Sequence, residues 1–437
     1  MLARVLPSRV FYGWVMVGSA LAINLLSSTL NPVIFSFFIG PMSGELGVST
    51  SALSWSLTLR LLTAGFAGPA LGMLIDRHGT RWLGAACGLL AGATMLALSF
   101  VHSLWLVYLL FALTGFAGFG GPAGQLITQV PLSRWFVVRR GRALAIATTG
   151  MAAGTTLAIP ATQALIEAFG WRVTYALFGL VVGIGIAAVS VLLVRRAPED
   201  MGLHPDGAPA PLVITPSAAR ISSIATHEEW TVSQAMRTPT MWLLLAALAF
   251  AGVALTGTLV HRVHYWTQLG MSPTLVGLGT ALDPLTVVFS LMLFGSLGDR
   301  VPVRYLGAAG FAGIALSIVP MITSSGEAYT ILAHGFLWGA GAGGFITLNN
   351  LVWPNYFGVR TVGALRGVTL PVSIAASGVG APLYGYLLDA FSPASVWALS
   401  FAAFASSAVL VLFARPPRLP APVGALEDAP LVALARE

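Results

Sequence analysis

The chain contains no lysine: all 22 of its basic residues are arginine. A GC-rich bacterial genome produces that bias. Its consequence here is that no phosphate-binding loop with its lysine can be built. Cysteine is almost missing as well. Cys87 is the one example and sits in an apolar run, so no disulfide and no cysteine-based metal site can form within one chain. Charge of either sign is scarce, 8% of residues against about 25% in soluble domains. A chain so poor in charge cannot cover a water-facing surface, and its mean hydropathy of +0.85 places it in a bilayer. There is no G-x-S-x-G elbow, no H-E-x-x-H pair and no other catalytic pattern, so no enzyme and no cofactor are expected. No small-residue cleavage site follows the first apolar run, which reads as a retained helix. No run alternates with period 2 over its length, which excludes a membrane barrel.

What the chain has is long apolar runs. A span needs about 20 apolar residues, and twelve runs qualify: 11–38, 50–75, 82–101, 105–131, 143–167, 172–194, 239–264, 274–297, 303–323, 328–353, 366–388 and 393–413. The expected fold is an all-α membrane protein of twelve transmembrane helices in two six-helix pseudo-repeat lobes. Residues 1–194 and 239–414 form the lobes. Residues 195–238 form a proline-rich cytoplasmic linker, with a short surface helix near 228–236. Residues 415–437 form a disordered tail. Twelve spans put both termini on one side. With the termini cytoplasmic, 19 arginines fall inside, only Arg172 and Arg262 fall outside, and Arg60 lies within a span. The positive-inside rule then sets the orientation. The net charge of +7 belongs to those short loops rather than to a groove for nucleic acid.

The two halves repeat. Residues 60–81 align with 283–304 at an offset of 223, so that Asp76, Arg77 and Arg81 fall on Asp299, Arg300 and Arg304. Trp135-Phe136-Val137-Val138-Arg139 falls on Tyr356-Phe357-Gly358-Val359-Arg360 at 221, and Gln129 then falls on Asn350. A duplicated six-helix half is the pattern of a carrier that rocks one lobe on the other around a midplane site. The glycine runs Gly115 to Gly124 and Gly339 to Gly344 lie at equivalent depths. Neither follows a strand, so helix packing or bending is the better account.

The run Gly72 to Arg81, with its partner Gly295 to Arg304, resembles the loop motif of the major facilitator superfamily. Phe11-Tyr12-Gly13-Trp14, Arg134-Trp135-Phe136, Arg140-Gly141-Arg142-Ala143, Phe169-Gly170-Trp171-Arg172 and Asn355-Tyr356-Phe357-Gly358 narrow the resemblance to its bacterial monocarboxylate and oxalate/formate carriers. The resemblance implies alternating access. By their depth near the cytoplasmic ends of the fourth and tenth spans, Gln129 and Asn350 read as inner-gate residues; the resemblance implies that the loop residues Asp76, Arg77, Arg81, Asp299, Arg300 and Arg304 gate the same side. It also implies an arginine in the eighth span and, for oxalate-type members, a lysine in the eleventh. This chain departs on both: its eighth span holds Asp283 as its only charge, and lysine is absent.

An ionised group at the bilayer midplane is costly unless it meets water or a partner, so Arg60 and Asp283 are functional candidates. Arg60 is expected to bind an anionic group of the substrate and Asp283 to take the coupling proton; the bland alternative is that they satisfy one another. Asn24, Thr155, Ser377, His334 and Trp338 are further substrate-side candidates, each able instead to serve packing or helix–helix hydrogen bonds. His261, Arg262 and His264 cluster where the seventh span leaves the outer face. The expected activity is proton-coupled transport of a small monocarboxylate or related organic anion, by a monomer in the bacterial inner membrane. The alternative is proton-driven efflux of drug-like hydrophobic compounds.

Overall fold

The computed structural model describes residues 11–119, 122–137, 139–207, 230–298, 300–358 and 362–417. Among these, the regular elements are helical. The long helices are α1 (Gly13–Ser27), α2 (Pro32–Leu46), α3 (Thr50–His78), α4 (Thr80–Leu98), α5 (Leu104–Phe116), α6 (Pro122–Trp135) and α7 (Arg140–Leu193) in the first half. The short α8 (Val232–Met236) then precedes α9 (Pro239–Gln268), α10 (Pro273–Leu297), α11 (Val303–Thr323), α12 (Ala328–Phe357), α13 (Val362–Ala390) and α14 (Pro393–Phe413). Nine helical stretches among the described residues are long and apolar enough to cross a membrane.

Local chemistry explains where helices begin and break. Ser49, Thr238, Ser272 and Ser392 each accept a hydrogen bond from a backbone N–H of the first turn they precede, and proline follows the last three. The first apolar run is broken between α1 and α2. There the hydroxyls of Ser27, Ser28 and Thr29 donate to carbonyls three residues back, and the chain tightens to a 3₁₀ turn before Pro32. Helix α7 covers two runs and is divided by Gly170, whose φ of 78° only glycine adopts freely. The expected surface helix is present as α8, with a reciprocal cap between Thr231 and Gln234.

The repeat extends beyond the aligned loops. Gly47 and Gly270, again 223 apart, both end a helix in the left-handed region. Ser49 and Ser272 cap α3 and α10 in the same way. Thr63 and Thr286 each donate to carbonyls of the preceding turn, those of Leu59 and Arg60 in one case and Leu282 and Asp283 in the other. Gly115 of α5 lies against Thr63 and the Arg60 carbonyl, and Gly339 of α12 lies against Thr286 and the Asp283 carbonyl.

Between halves, α3 packs on α13, α7 on α10, and α2 on α9. The side-chain contacts of the α3–α13 pair run from Gly65 beside Ile374 to Ser51 Oγ, which donates to Asp389 Oδ2 at 3.0 Å. Thr58 donates to the Gly378 carbonyl between them. At the opposite end Arg77, Arg300 and Asn350 are exposed. Met73 of α3 is 63% exposed, and Thr148 and Thr149 of α7 are also exposed. The halves therefore meet at the Ser51/Asp389 end and part at the Arg77/Arg300 end.

Candidate functional site

Arg60 stands in the middle of α3 and is 5% exposed. Its guanidinium lies 5.8 Å from the centre of the Phe111 ring. Among the described residues it makes no hydrogen bond and no ion pair. It lines two spaces. One, of about 330 Å³, lies inside the first half, among Asn31, Phe38, Phe111, Thr114 and Tyr175. The other, of about 610 Å³, lies between the halves, where Leu57, Thr58 and Leu61 face Thr256, Val260 and Ser377. A fixed cation with a ring on one side, hydroxyls nearby and otherwise apolar walls is an arrangement that binds a small anion with an apolar body.

Asp283 occupies the equivalent place on α10 and is engaged. Arg262 of α9 forms an ion pair with its Oδ2, with both side chains buried. Arg262 Nη1 also donates to His334 Nε2 at 3.2 Å, and His334 Nδ1 donates to the Ser317 carbonyl at 2.8 Å. These two bonds define a neutral His334 tautomer. The Arg262 guanidinium lies 5.3 Å from the centre of the Trp338 ring. The cluster is incompletely satisfied. Among the described residues Asp283 Oδ1 and Arg262 Nε lack hydrogen-bond partners, and the Arg262–Asp283 contact has charge attraction without hydrogen-bond alignment. Buried ion pairs left in that condition are poor stabilisers.

Two expectations need correction. Arg60 and Asp283 do not satisfy one another; each belongs to its own half. Arg262, expected on the outer side where the seventh span ends, is 1% exposed within α9, which runs on to Gln268. The sequence reading placed Arg262 with His261 and His264 and missed its pairing with Asp283. One signal was available: Arg262, before the turn at Gly270, and Asp283, after it, are opposed charges on helices that are consecutive in the chain.

The remaining candidates divide. Ser377 shares the inter-half cavity with Arg60, while His334 and Trp338 belong to the Asp283 cluster. Asn24 lines neither Arg60 cavity: its Nδ2 donates to the Ala147 carbonyl at 2.8 Å and ties α1 to α7. Thr155 donates to the Met151 carbonyl of its own helix and also lines neither. Of the loop residues, Asp299 and the side chain of Asp76 lie outside the described residues. Arg81 Nε donates to the Val191 carbonyl at 2.9 Å, and its guanidinium lies 5.2 Å from the Trp82 ring. Arg304 donates to the Tyr305 hydroxyl. Gln129 is half-buried and engaged.

Tyr175 was also missed. It stacks closely on Phe38, with ring centres 4.0 Å apart, and so helps shape the smaller Arg60 cavity. Nothing in its local sequence sets it apart from other aromatic residues on a lipid-soluble helix.

A fold of two equivalent helical halves has known counterparts. An inward-facing, unoccupied bacterial homologue of the human lysosomal transporter Spinster superposes with a TM-score of 0.67 at 15% identity, covering 93% of this chain and 96% of that one. A nucleoside transporter superposes at 0.69 with 12% identity, covering 91% and 98%. In sequence, the chain is 26% identical to the oxalate:formate antiporter of Oxalobacter formigenes, over 82% of each protein. It is 27% identical to human monocarboxylate transporter 11, over 86% of this chain and 77% of that protein. The family model of the Major Facilitator Superfamily matches residues 17–265 and 243–436. A match in both halves, on a fold whose halves repeat the Ser49/Ser272 caps and the Gly115/Gly339 contacts, means that this chain belongs to the Major Facilitator Superfamily and is a membrane transporter.

Proposed function

We propose that the protein is a secondary carrier for a small organic monoanion of the monocarboxylate type, coupled to the proton gradient. The observation that carries this reading is Arg60: a buried cation with no counter-ion among the described residues, open to a cavity between the halves. Leaving such a charge unpaired costs several kcal/mol, and a bound carboxylate removes that cost. A site for neutral hydrophobic drugs has no use for it, which disfavours the efflux alternative.

The topology that goes with this reading has twelve spans in the bacterial inner membrane. The division of α7 at Gly170 adds one span to the nine apolar stretches, α3 a second, and α5 with α6 a third. The arginine-rich loops and both termini are cytoplasmic, and the open Arg77/Arg300 end faces the cytoplasm.

Asp283 is the proposed proton carrier. As a carboxylate it holds Arg262. As a neutral acid it releases Arg262 and leaves a second cation for the substrate. The family resemblance implies an arginine in the eighth span; here the seventh supplies one, Arg262, beside Asp283 of the eighth. The chain is expected to work as a monomer, since the walls of the Arg60 cavity and the residues around Asp283 all come from it.

The test is uptake of labelled carboxylates (formate, acetate, lactate, pyruvate, oxalate) into proteoliposomes, with and without an inward proton gradient. Saturable uptake of a monocarboxylate, raised by the gradient and lost in Arg60→Ala, is the expected result. Carboxylate flux that survives Arg60→Ala would overturn the site. Flux that needs a counter-anion inside and ignores the gradient would overturn proton coupling in favour of exchange.

A further inference from the structure

We propose that His261 is the latch of the outer gate, and that proton binding to its free ring nitrogen opens the path from outside to the Arg60 cavity. The three polar residues near the end of α9 do different work. Arg262 turns into its own half toward Asp283. His264 lies against Gly40 of α2 and Gln268. His261, 2% exposed, crosses to the seam where α9 meets α3 and α13. Its Nε2 donates to the Ala381 carbonyl of α13 at 2.8 Å and lies 3.3 Å from Ser54 Oγ of α3. Ser54 Oγ donates its own hydrogen to the Thr50 carbonyl, so it is the acceptor in this pair. One imidazole therefore joins helices of both halves at the closed end.

Its position in the path is as telling as its bonds. Val260 and Ala381, on either side of the latch, line the Arg60 cavity. His261 itself lines a separate polar vestibule of about 680 Å³ with Ser43, Ser49, His264, Gln268 and Asp389. The imidazole thus stands between the outer vestibule and the binding cavity. With the proton on Nε2, Nδ1 is the ring's remaining acceptor, and it takes no hydrogen bond from a described residue.

Protonation there places a charge on an imidazole that is almost fully buried while the seam is closed. Desolvation opposes that charge, and it is relieved when the halves part and water enters. Few other charges bear on the latch. On α9, His264 would repel an imidazolium and Arg262 is committed to Asp283. On α13, Asp389 is the one carboxylate, held by Ser51 on the vestibule wall; Tyr384 donates no counter-charge. The α3 residues at this end, Ser49 to Ser56, carry no charge, and Arg60 lies beyond the latch. External acid would then favour the outward-open state, which loads proton and anion together. This inference rests on the alternating-access reading but not on the substrate, so its test needs none.

The test measures access from outside. In a Cys87→Ser background, Leu57→Cys places a thiol in the Arg60 cavity and Ala394→Cys places one on the exposed outer turn. Intact cells are treated with a membrane-impermeant maleimide, and the ratio of the two labelling rates cancels the thiol's own titration. The ratio is expected to rise about tenfold between about pH 8 and about pH 5 as a histidine charges. His261→Gln, which keeps the donor to Ala381 but cannot charge, should hold the ratio low and flat. His261→Phe, which cannot bond across the seam, should hold it high at both values. Asp389→Asn should leave the rise in place. A rise that persists in His261→Gln, or disappears in Asp389→Asn, would overturn the proton-sensing role. A ratio that stays low in His261→Phe would overturn the latch.

Discussion

Single buried charges dominate this protein, because a bilayer gives them nothing to hide behind. Arg60 is predicted to behave as a ligand-binding cation rather than as a structural one. Arg60→Ala should leave thermal stability in detergent unchanged or raised, since it removes an unpaired charge, while lowering carboxylate affinity by about ten- to a hundredfold, the worth of one charge-assisted hydrogen bond. Loss of folded protein instead of affinity would refute that assignment. Arg262 should show the opposite behaviour. Arg262→Ala leaves Asp283 buried without its partner, for an expected loss of about 3–5 kcal/mol. Arg262→Ala with Asp283→Ala should recover much of it, and the coupling is read from a double-mutant cycle of unfolding midpoints. The sequence exposes Arg60 and Asp283 plainly, because each interrupts an apolar run. It conceals Arg262, which stands near the end of its run, where an arginine normally marks the start of a loop.

At the scale of helices, close approach is set by missing side chains. A Cβ on Gly115 would run into Thr63 and the Arg60 carbonyl, and one on Gly339 into Thr286 and the Asp283 carbonyl. These contacts set the depth at which each charge-bearing helix sits against its neighbour. Gly115→Leu and Gly339→Leu should each cost about 1–3 kcal/mol by overpacking and reduce transport with it. Gly18→Ala, at a position with nothing within 4 Å, should be neutral. Thermal melts of the purified variants decide the matter, and equal effects at all three sites would show that packing at the charges is not special. The glycine runs were legible as packing positions. Their partners were not, because the helix pairing that brings Gly339 to Thr286 is a property of the assembled half.

For the whole molecule, alternating access requires the closed seam between Ser51 and Asp389 to open as the Arg77/Arg300 end closes. In a Cys87→Ser background, Ser51→Cys with Asp389→Cys should oxidise readily and stop transport, and reductant should restore it. Complete cross-linking with unchanged transport would show that this seam never opens. The seam joins matching parts: the repeat that carries α3 onto α10 also carries the α3–α13 contact onto the α10–α7 contact.

The sequence alone determined that the chain lives in a membrane, that it is doubled, that its loops are arginine-rich, and that two charges of opposite sign lie at equivalent depths. These follow from composition and periodicity, which bilayer thickness and the cost of burying charge make readable residue by residue. Tertiary structure alone decided which charge is paired and which is free, because pairing depends on the approach of helices far apart in the chain. It brought Arg262 and His334 to Asp283 and left Arg60 facing a cavity. It also carried His261 to the seam between the halves, one position from an arginine that points the other way.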